Sequence, residues 1–138
     1  MRYGLLGEVL GHSFSKSIHN TLGDYPYDLI EVKKDELDAF MRVKDFAGLN
    51  VTIPYKESVI PYLDHIDEAA KAIGAVNTIV NKDGKLYGYN TDFYGMARLI
   101  YHAKISLSGM KVIILGTGGT SKTAMAVAKS LGAREILI

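Results

Sequence analysis

The sequence lacks cysteine altogether, and its apolar runs are short. Without cysteine, disulfide bonds, thiolate nucleophiles and cysteine-based metal sites are excluded. The apolar runs, such as residues 112–115, are far shorter than the ~18 residues typical of a membrane-spanning helix. The N-terminus also lacks the charged and then apolar pattern of a signal peptide. We therefore expect a soluble, cytoplasmic protein.

An excess of charge of one sign is also missing. The 16 Lys and Arg residues almost balance the 15 Asp and Glu residues, which leaves a net charge of +1. Such a balance creates no field that attracts nucleic acid or an anionic membrane, so small-molecule chemistry is favoured. The 4 histidines have no convincing metal-ligand spacing, and we expect no metal site.

Short apolar runs alternate with helical patterns along most of the chain. Strands are predicted near residues 3–9, 27–32, 48–53, 76–80, 85–89, 111–115 and 135–138, and helices after 15, around 37–41, at 68–73, from 93 and around 124–131. The Asp83-Gly84 dipeptide predicts a hairpin between two of these strands, so the sheet is expected to be mixed. The predicted fold class is α/β: a three-layer mixed sheet with flanking helices, followed by a truncated Rossmann-like β-α-β unit.

A short polar stretch at residues 104–109 separates these two parts. The strand, turn, helix and strand that follow it are only the opening unit of a doubly wound nucleotide-binding domain. We expect a first domain at residues 1–104 and the first part of a second, truncated domain at 105–138. Strand edges exposed by truncation favour self-association, including a homodimer.

The segment Asn50-Val51-Thr52-Ile53-Pro54-Tyr55-Lys56 places a lysine just beyond a buried strand. Pro54 cannot extend a central strand, so the chain must turn there. We expect Lys56 to lie near a helix N-terminus, where the helix dipole disfavours a cation. A catalytic lysine and a solvated lysine are both consistent with this segment.

Three further segments combine small polar side chains with glycine. They are Gly11-His12-Ser13-Phe14-Ser15, Gly74-Ala75-Val76-Asn77-Thr78 and Gly88-Tyr89-Asn90-Thr91-Asp92. Taken alone, Ser15 and Asp92 are also ordinary helix-capping residues. Together with the lysine segment and a glycine-rich turn at Gly116, these segments resemble the shikimate dehydrogenase family over essentially the whole chain.

This resemblance implies the NADPH-dependent, reversible reduction of 3-dehydroshikimate to shikimate, a step of chorismate and aromatic amino acid biosynthesis. Reduction of a ketone needs a proton donor at the carbonyl oxygen. Lys56 and Asp92 match the family's catalytic pair. The substrate-binding positions that match are Ser13, Ser15, Thr52, Lys56, Asn77 and Asp92, while Asn50 and Asn90 are weaker candidates.

Two positions depart from the family pattern, which usually has proline where this chain has Val9 and Lys16. Proline at a first helical position favours helix formation, and Lys16 loses that advantage while adding a charge beside the two serines. We expect Lys16 to add attraction for a substrate carboxylate.

The glycine-rich turn follows a strand and precedes a helix, as a dinucleotide-binding turn does. The resemblance implies NADP as cofactor, held by Gly116, Thr117, Gly118, Gly119, Thr120 and Ser121. The residue that selects NAD or NADP usually lies ~20 positions beyond such a turn, at or past the last residues of this chain. The turn is also one residue short of a phosphate-loop pattern, which requires glycine where Ser121 stands.

Other functions remain open at this stage. A noncatalytic module that binds a shikimate-like ligand, a quinate/shikimate dehydrogenase and, more remotely, a phosphate-loop nucleotide-binding protein are the alternatives. If the chain acts alone, we expect it to be poorly active or inactive, because most of the cofactor domain is missing.

Overall fold

The computed structural model describes residues 2–138 and contains two sheets. The strands are β1 (Tyr3–Gly7), β2 (Tyr27–Glu31), β3 (Gly48–Val51), β4 (His65–Ile66), β5 (Thr78–Lys82), β6 (Lys85–Tyr89), β7 (Lys111–Ile113) and β8 (Glu135–Leu137). The helices are α1 (Ser15–Leu22), α2 (Leu37–Val43), α3 (Glu68–Ile73), α4 (Asp92–His102) and α5 (Gly119–Ser130).

The first sheet has six strands in the order β2-β1-β3-β5-β6-β4. Strand β1 is parallel to β2 and to β3, β5 is antiparallel to β3 and β6, and β4 is parallel to β6. The hairpin between β5 and β6 turns at Asp83 and Gly84, which have φ values of 52° and 80°. Such left-handed conformations are typical of the expected Asp-Gly turn. The predicted mixed sheet is confirmed.

Alternation along the strands divides the core between the two faces of this sheet. Leu6, Val51 and Ile79 are buried in the main cluster, which also includes Leu37 and Met41 from α2. Leu5 belongs to a smaller cluster with Leu10 and Tyr27, and α1 contacts β1 and β2. Helices therefore flank the sheet, as the sequence predicts.

The segment after Lys56 differs from the prediction. It forms turns and a short 3₁₀-helix at Ile60–Tyr62, not an α-helix that begins near Lys56. Pro61 explains the difference, because it has no backbone N–H to donate to the carbonyl of Glu57 four residues earlier. The two-residue strand β4 was also not predicted, since it is too short to show a period-2 pattern.

Strands β7 and β8 form the second sheet, in which they pair in parallel around the crossover helix α5. This is the predicted β-α-β unit. Helix α5 packs against α3 and α4, and Lys122 Nζ on α5 lies 2.7 Å from Glu57 Oε1. The boundary between residues 104 and 105 stays a prediction. None of the helices in residues 2–138 combines the length and apolar character that crossing a membrane demands.

Candidate functional site

Lys56 and Asp92 form an ion pair although 36 residues separate them in the sequence. Lys56 Nζ lies 2.6 Å from Asp92 Oδ2, and the two side chains are 18% and 36% exposed. The turn after β3 presents the lysine, and the first turn of α4 presents the aspartate. The backbone of this turn is fixed, because the Val76 N–H donates to the Lys56 carbonyl at 2.7 Å. A charge-assisted hydrogen bond of this length holds an ammonium group in a defined place.

Asp92 is free to make this pair because Asn90 caps α4. The Phe93 N–H donates to Asn90 Oδ1 at 3.2 Å, and Asn90 Nδ2 donates to the Ala75 carbonyl at 2.9 Å. Asn90 is 1% exposed, so it belongs to the structural support of the site. The capping role that the sequence allowed for Asp92 is carried by Asn90 instead.

Asn77 lies beside the start of α4 and is almost fully buried, with 8% exposure. Its Oδ1 accepts from the Thr91 N–H at 2.9 Å, and its Nδ2 donates to Thr91 Oγ1 at 3.0 Å. Because Thr91 immediately precedes Asp92, these bonds bring Asn77 next to the Lys56–Asp92 pair.

Ser13, Ser15 and Thr52 line one cavity of about 530 Å³, together with residues of the β1–α1 loop such as His12. Ser13 Oγ accepts from the Ser15 N–H at 3.2 Å, so Ser13, and not Ser15, stabilises the start of α1. Lys56, Asn77 and Asp92 are not among the residues that line this cavity. The predicted site residues thus form two groups, which are joined by the turn between Thr52 and Lys56.

The two positions that depart from the family pattern both lie at the edge of this region. Val9 is 81% exposed and lines the cavity of the serines. Lys16 pairs with Asp28 through an Nζ–Oδ1 distance of 3.3 Å, and both side chains are about half exposed. This exposed pair does not test whether Lys16 attracts a substrate carboxylate, so that expectation stays a prediction.

The glycine-rich turn precedes α5, whose first residue is Gly119. Gly116 has a φ of 116°, a conformation that other residues rarely adopt. A Cβ placed on Gly116, Gly118 or Gly119 would meet no atom within 4 Å, so the space before the turn is open. A phosphate-loop function would need Lys122 at the phosphates, whereas its ammonium pairs with Glu57. The open space at the glycines, directly before α5, suits a pyrophosphate at a helix N-terminus.

The family model for the shikimate dehydrogenase substrate binding domain matches residues 5–79. This match covers more than half of the chain. The chain belongs to the shikimate dehydrogenase family.

Curated relatives agree with this assignment. The chain is 44% identical to the shikimate dehydrogenase (NADP(+)) of Clostridium perfringens, over 99% of this chain and 53% of the relative. It is 48% identical to that of Halothermothrix orenii, over 98% of this chain and 50% of the relative. The chain therefore spans about half the length of the curated shikimate dehydrogenases that it matches.

Solved shikimate dehydrogenase structures have the same fold. The TM-score is 0.89 for shikimate dehydrogenase 1 of Peptoclostridium difficile, with 40% identity over 99% of this chain and 54% of that one. It is 0.87 for the Thermus thermophilus enzyme in complex with NADP(H) and shikimate, with 29% identity over 99% and 55%. The α/β fold class is thus confirmed by shikimate dehydrogenases of known structure.

Sequence reasoning missed the residues that surround Asn50 and Asn77 in this family member. Tyr27 donates its hydroxyl to Asn50 Oδ1 at 2.7 Å, and Thr78 lies 3.1 Å from Asn77 Oδ1. Burial, with a smaller contribution from Tyr25, raises the pKa of Tyr27 to about 12. Of these residues, the sequence pointed only to Thr78, the last residue of the Gly74–Thr78 segment. Nothing in the sequence indicated which side chains it would contact.

Proposed function

We propose that this chain supplies the substrate-binding and proton-transfer residues of an NADP-dependent shikimate dehydrogenase. The reaction is the reversible reduction of 3-dehydroshikimate to shikimate in the pathway to chorismate and the aromatic amino acids. The observation that carries the proposal is the 2.6 Å contact between Lys56 Nζ and Asp92 Oδ2, made by two residues that match the family's catalytic pair.

Proton transfer is assigned to Lys56. When NADPH is bound, it supplies a hydride to the ketone carbon of the substrate, and the carbonyl oxygen then needs a proton. The Lys56 ammonium donates that proton, which completes the alcohol, and the neutral amine regains a proton from solvent. Asp92 holds the ammonium in position through its charge. In the oxidation of shikimate, bound NADP⁺ would take up the hydride, and the neutral amine of Lys56 accepts the hydroxyl proton.

Substrate binding is divided between the two groups of residues. Ser13 and Ser15 donate hydroxyl hydrogen bonds to the substrate carboxylate, close to the start of α1. Thr52 and Asn77, with Lys56 and Asp92, hold the ring hydroxyls, because hydroxyl and amide groups can both donate and accept.

Cofactor binding is assigned to the turn that precedes α5. The pyrophosphate of NADP fits the open space before the glycines, where backbone N–H groups and the helix dipole favour an anion. The residues assigned to it are Gly116, Thr117, Gly118, Gly119, Thr120 and Ser121. The preference for NADP over NAD rests on the relatives of the chain, which are shikimate dehydrogenases (NADP(+)).

The proposal also includes the organisation of the chain. Residues 1–104 form the shikimate-binding catalytic domain, and residues 105–138 form the first part of the NADP-binding domain. The separate six-stranded and two-stranded sheets support this division. A cytoplasmic location and a homodimer are parts of the proposal that rest on the sequence alone.

Shikimate titration into the isotopically labelled 138-residue chain tests the substrate site. We expect backbone amide shifts at Ser15, Thr52, Lys56, Asn77 and Asp92, and weaker shifts with quinate. Lys56→Met should reduce the affinity, whereas Lys122→Met, which removes a lysine already paired with Glu57, should not. A folded chain that ignores shikimate, or equal effects of the two lysine variants, would contradict the proposal.

Hydride transfer is tested by following NADPH absorbance with 3-dehydroshikimate. We expect the 138-residue chain by itself to turn over poorly, because the proposed cofactor domain is represented by one β-α-β unit. Turnover by this chain at the rate of a whole enzyme would contradict the assignment of residues 105–138 as an incomplete domain.

A further inference from the structure

A series of polar side chains crosses the sheet from β2 to the start of α4. The Tyr27 hydroxyl lies 2.7 Å from Asn50 Oδ1, Asn50 Nδ2 lies 3.4 Å from Thr78 Oγ1, and Thr78 Oγ1 lies 3.1 Å from Asn77 Oδ1. The middle contact is the longest of the three. The series ends at Asn77, beside the Lys56–Asp92 pair.

The direction of every hydrogen bond in this series follows from one backbone group. The Thr91 N–H can only donate, so the atom of Asn77 that it meets at 2.9 Å is the amide oxygen. An amide oxygen can only accept, so Thr78 must donate its single hydroxyl proton to it.

The same reasoning continues towards Tyr27. Because the Thr78 hydroxyl has used its proton, its oxygen must accept from Asn50, which places the Asn50 NH₂ group towards Thr78. The Asn50 oxygen then faces the Tyr27 hydroxyl, which must donate to it. The orientations of both amides are therefore fixed together.

We propose that Thr78 is a positioning residue for the polyol site: it passes the orientation that the Thr91 N–H gives to Asn77 on to Asn50, so that both amides present N–H donors to the ring hydroxyls. The inference rests on the proposed function, since it names how that site recognises its polyol. Within the described residues 2–138, each of these amide nitrogens donates to one protein acceptor, Thr78 Oγ1 or Thr91 Oγ1. Each NH₂ group therefore keeps a second N–H.

The upstream end of the series is held rigidly. Tyr27 is 3% exposed, and its ring stacks on His19 with a centroid distance of 3.7 Å and an interplanar angle of 7°. The raised pKa of Tyr27, about 12, keeps its hydroxyl protonated and able to donate. His19 is itself fixed by a 2.7 Å contact between Nδ1 and the Tyr25 hydroxyl.

This arrangement determines which groups the site selects. A ring hydroxyl that accepts from Asn50 or Asn77 must give its own proton to another acceptor, such as the Asp92 carboxylate. A substrate with a hydrogen atom in place of that hydroxyl would leave the N–H of Asn50 or Asn77 without a partner beneath the bound ring, which is costly. The series therefore makes the site selective for hydroxyls at these positions.

The test compares two isosteric pairs of variants in the 138-residue chain. Thr78→Val removes the hydroxyl and keeps the shape, whereas Thr78→Ser restores the hydroxyl. Tyr27→Phe removes the first donor, and Tyr62→Phe is its control because the Tyr62 hydroxyl contacts Asp38, outside the series. The side-chain NH₂ resonances of Asn50 and Asn77 are recorded first without ligand, and shikimate is then titrated.

We expect Thr78→Val to shift the Asn77 NH₂ resonances and to weaken shikimate binding about three- to tenfold, the size expected for one lost hydrogen bond. Thr78→Ser should restore both values. Tyr27→Phe should shift the Asn50 resonances, while Tyr62→Phe should leave them unchanged. Unchanged Asn77 resonances in Thr78→Val, or equal effects of the two tyrosine variants, would overturn the proposal.

The ligand-free spectra keep this test separate from that of the proposed function. A wild-type chain that does not bind shikimate would contradict the proposed function, but the NH₂ resonances of its variants would still support or overturn the fixed amide orientations. If Thr78→Val does not fold, Tyr27→Phe provides the same spectroscopic comparison from the other end of the series.

Discussion

At the residue scale, the structural support of the site and its proposed chemistry belong to two residues that lie two positions apart in the sequence. Asn90 is buried and uses its amide to cap α4 and to hold the Ala75 carbonyl. Asp92, two residues later, directs its carboxylate to Lys56. A carboxylate in the first turn of a helix is also favoured by the helix dipole. The pairing with Lys56 and the helix dipole are therefore enough to explain why a carboxylate stands at position 92.

Stability measurements on two variants test this separation. Asn90→Ala should lower the free energy of unfolding by about 1–3 kcal/mol, because it removes the cap and leaves a buried carbonyl without its donor. Asp92→Asn should lower it by less than about 1 kcal/mol, since a partly exposed ion pair contributes little. Urea unfolding gives both values. A larger loss for Asp92→Asn than for Asn90→Ala would show that the roles are reversed.

At the element scale, the short strand β4 depends on one carboxylate. The Asp64 N–H donates to the Leu86 carbonyl at 2.9 Å, and the Leu86 N–H donates to Asp64 Oδ2 at 2.8 Å. The pKa of Asp64 is lowered, first by the Leu86 N–H and then by Lys44. A two-residue strand has few ladder bonds of its own, so this reciprocal pair attaches it to β6.

Acid pH should weaken this attachment. Because the folded pKa of Asp64 lies below its ordinary value of 3.8, its stabilising contribution is present above pH 3.8 and is lost as the pH falls through the folded pKa. Asp64→Asn should therefore unfold at a lower urea concentration than wild type at pH 7, and the difference between the two midpoints should shrink as the pH falls below 3.8. A difference that is independent of pH would contradict the role of the charge.

Glycine has opposite roles in β1 and in α4. A Cβ on Gly4 would lie 2.5 Å from the backbone carbonyl oxygen of Asp28, whereas a Cβ on Gly95 would meet no atom within 4 Å. Gly4→Ala should destabilise the protein by about 1–3 kcal/mol, because β1 and β2 would have to separate. Gly95→Ala should stabilise it by about 0.5–1 kcal/mol through helix propensity. Thermal unfolding should give shifts of opposite sign, and shifts of the same sign would refute this account.

At the scale of the whole molecule, the two sheets differ in how well they are supported. The six-stranded sheet contains the main hydrophobic cluster, to which both α2 and α3 contribute. Strands β7 and β8 form only a two-stranded sheet, and their exposed residues include Ile113 at 63% and Leu137 at 43%. Two strands alone are marginally stable in water.

Hydrogen exchange should reveal this difference directly. We expect the backbone amides of β7 and β8 to exchange about two orders of magnitude faster than those of β1 and β3, because the small sheet can open without unfolding the main core. Both sets of amides are read in the same experiment, so β1 and β3 serve as the internal control. Equal protection would mean that the chain unfolds as one cooperative unit.

Association in solution is expected at the same scale. Strand β2 ends the large sheet on one side, and β7 and β8 have one unpaired edge each within the described residues. Unpaired strand edges favour pairing with another copy of the chain. Self-association therefore stays a prediction, and sedimentation over a range of protein concentrations measures it.

Much of the fold could be predicted from the sequence, because the signals are local. The alternation of buried residues in β3 and the Asp83-Gly84 turn each depend on neighbours within a few positions. The two errors also have local causes: Pro61 prevents a helix after Lys56, and β4 is too short for a pattern. The candidate site was harder to predict from the sequence, since Asp92 and Ser15 are equally typical of helix caps.

The sequence by itself determined the order of the elements, the family and the residue types available for chemistry, since periodicity and motifs are properties of the chain. Only the tertiary structure decided which side chains meet. It joined Lys56 to Asp92 across 36 residues, gave the cap of α4 to Asn90, and fixed the amide of Asn77 through Thr78 and Thr91. The physical reason is that a hydrogen bond depends on distance and direction in space, which chain folding sets and sequence spacing does not encode.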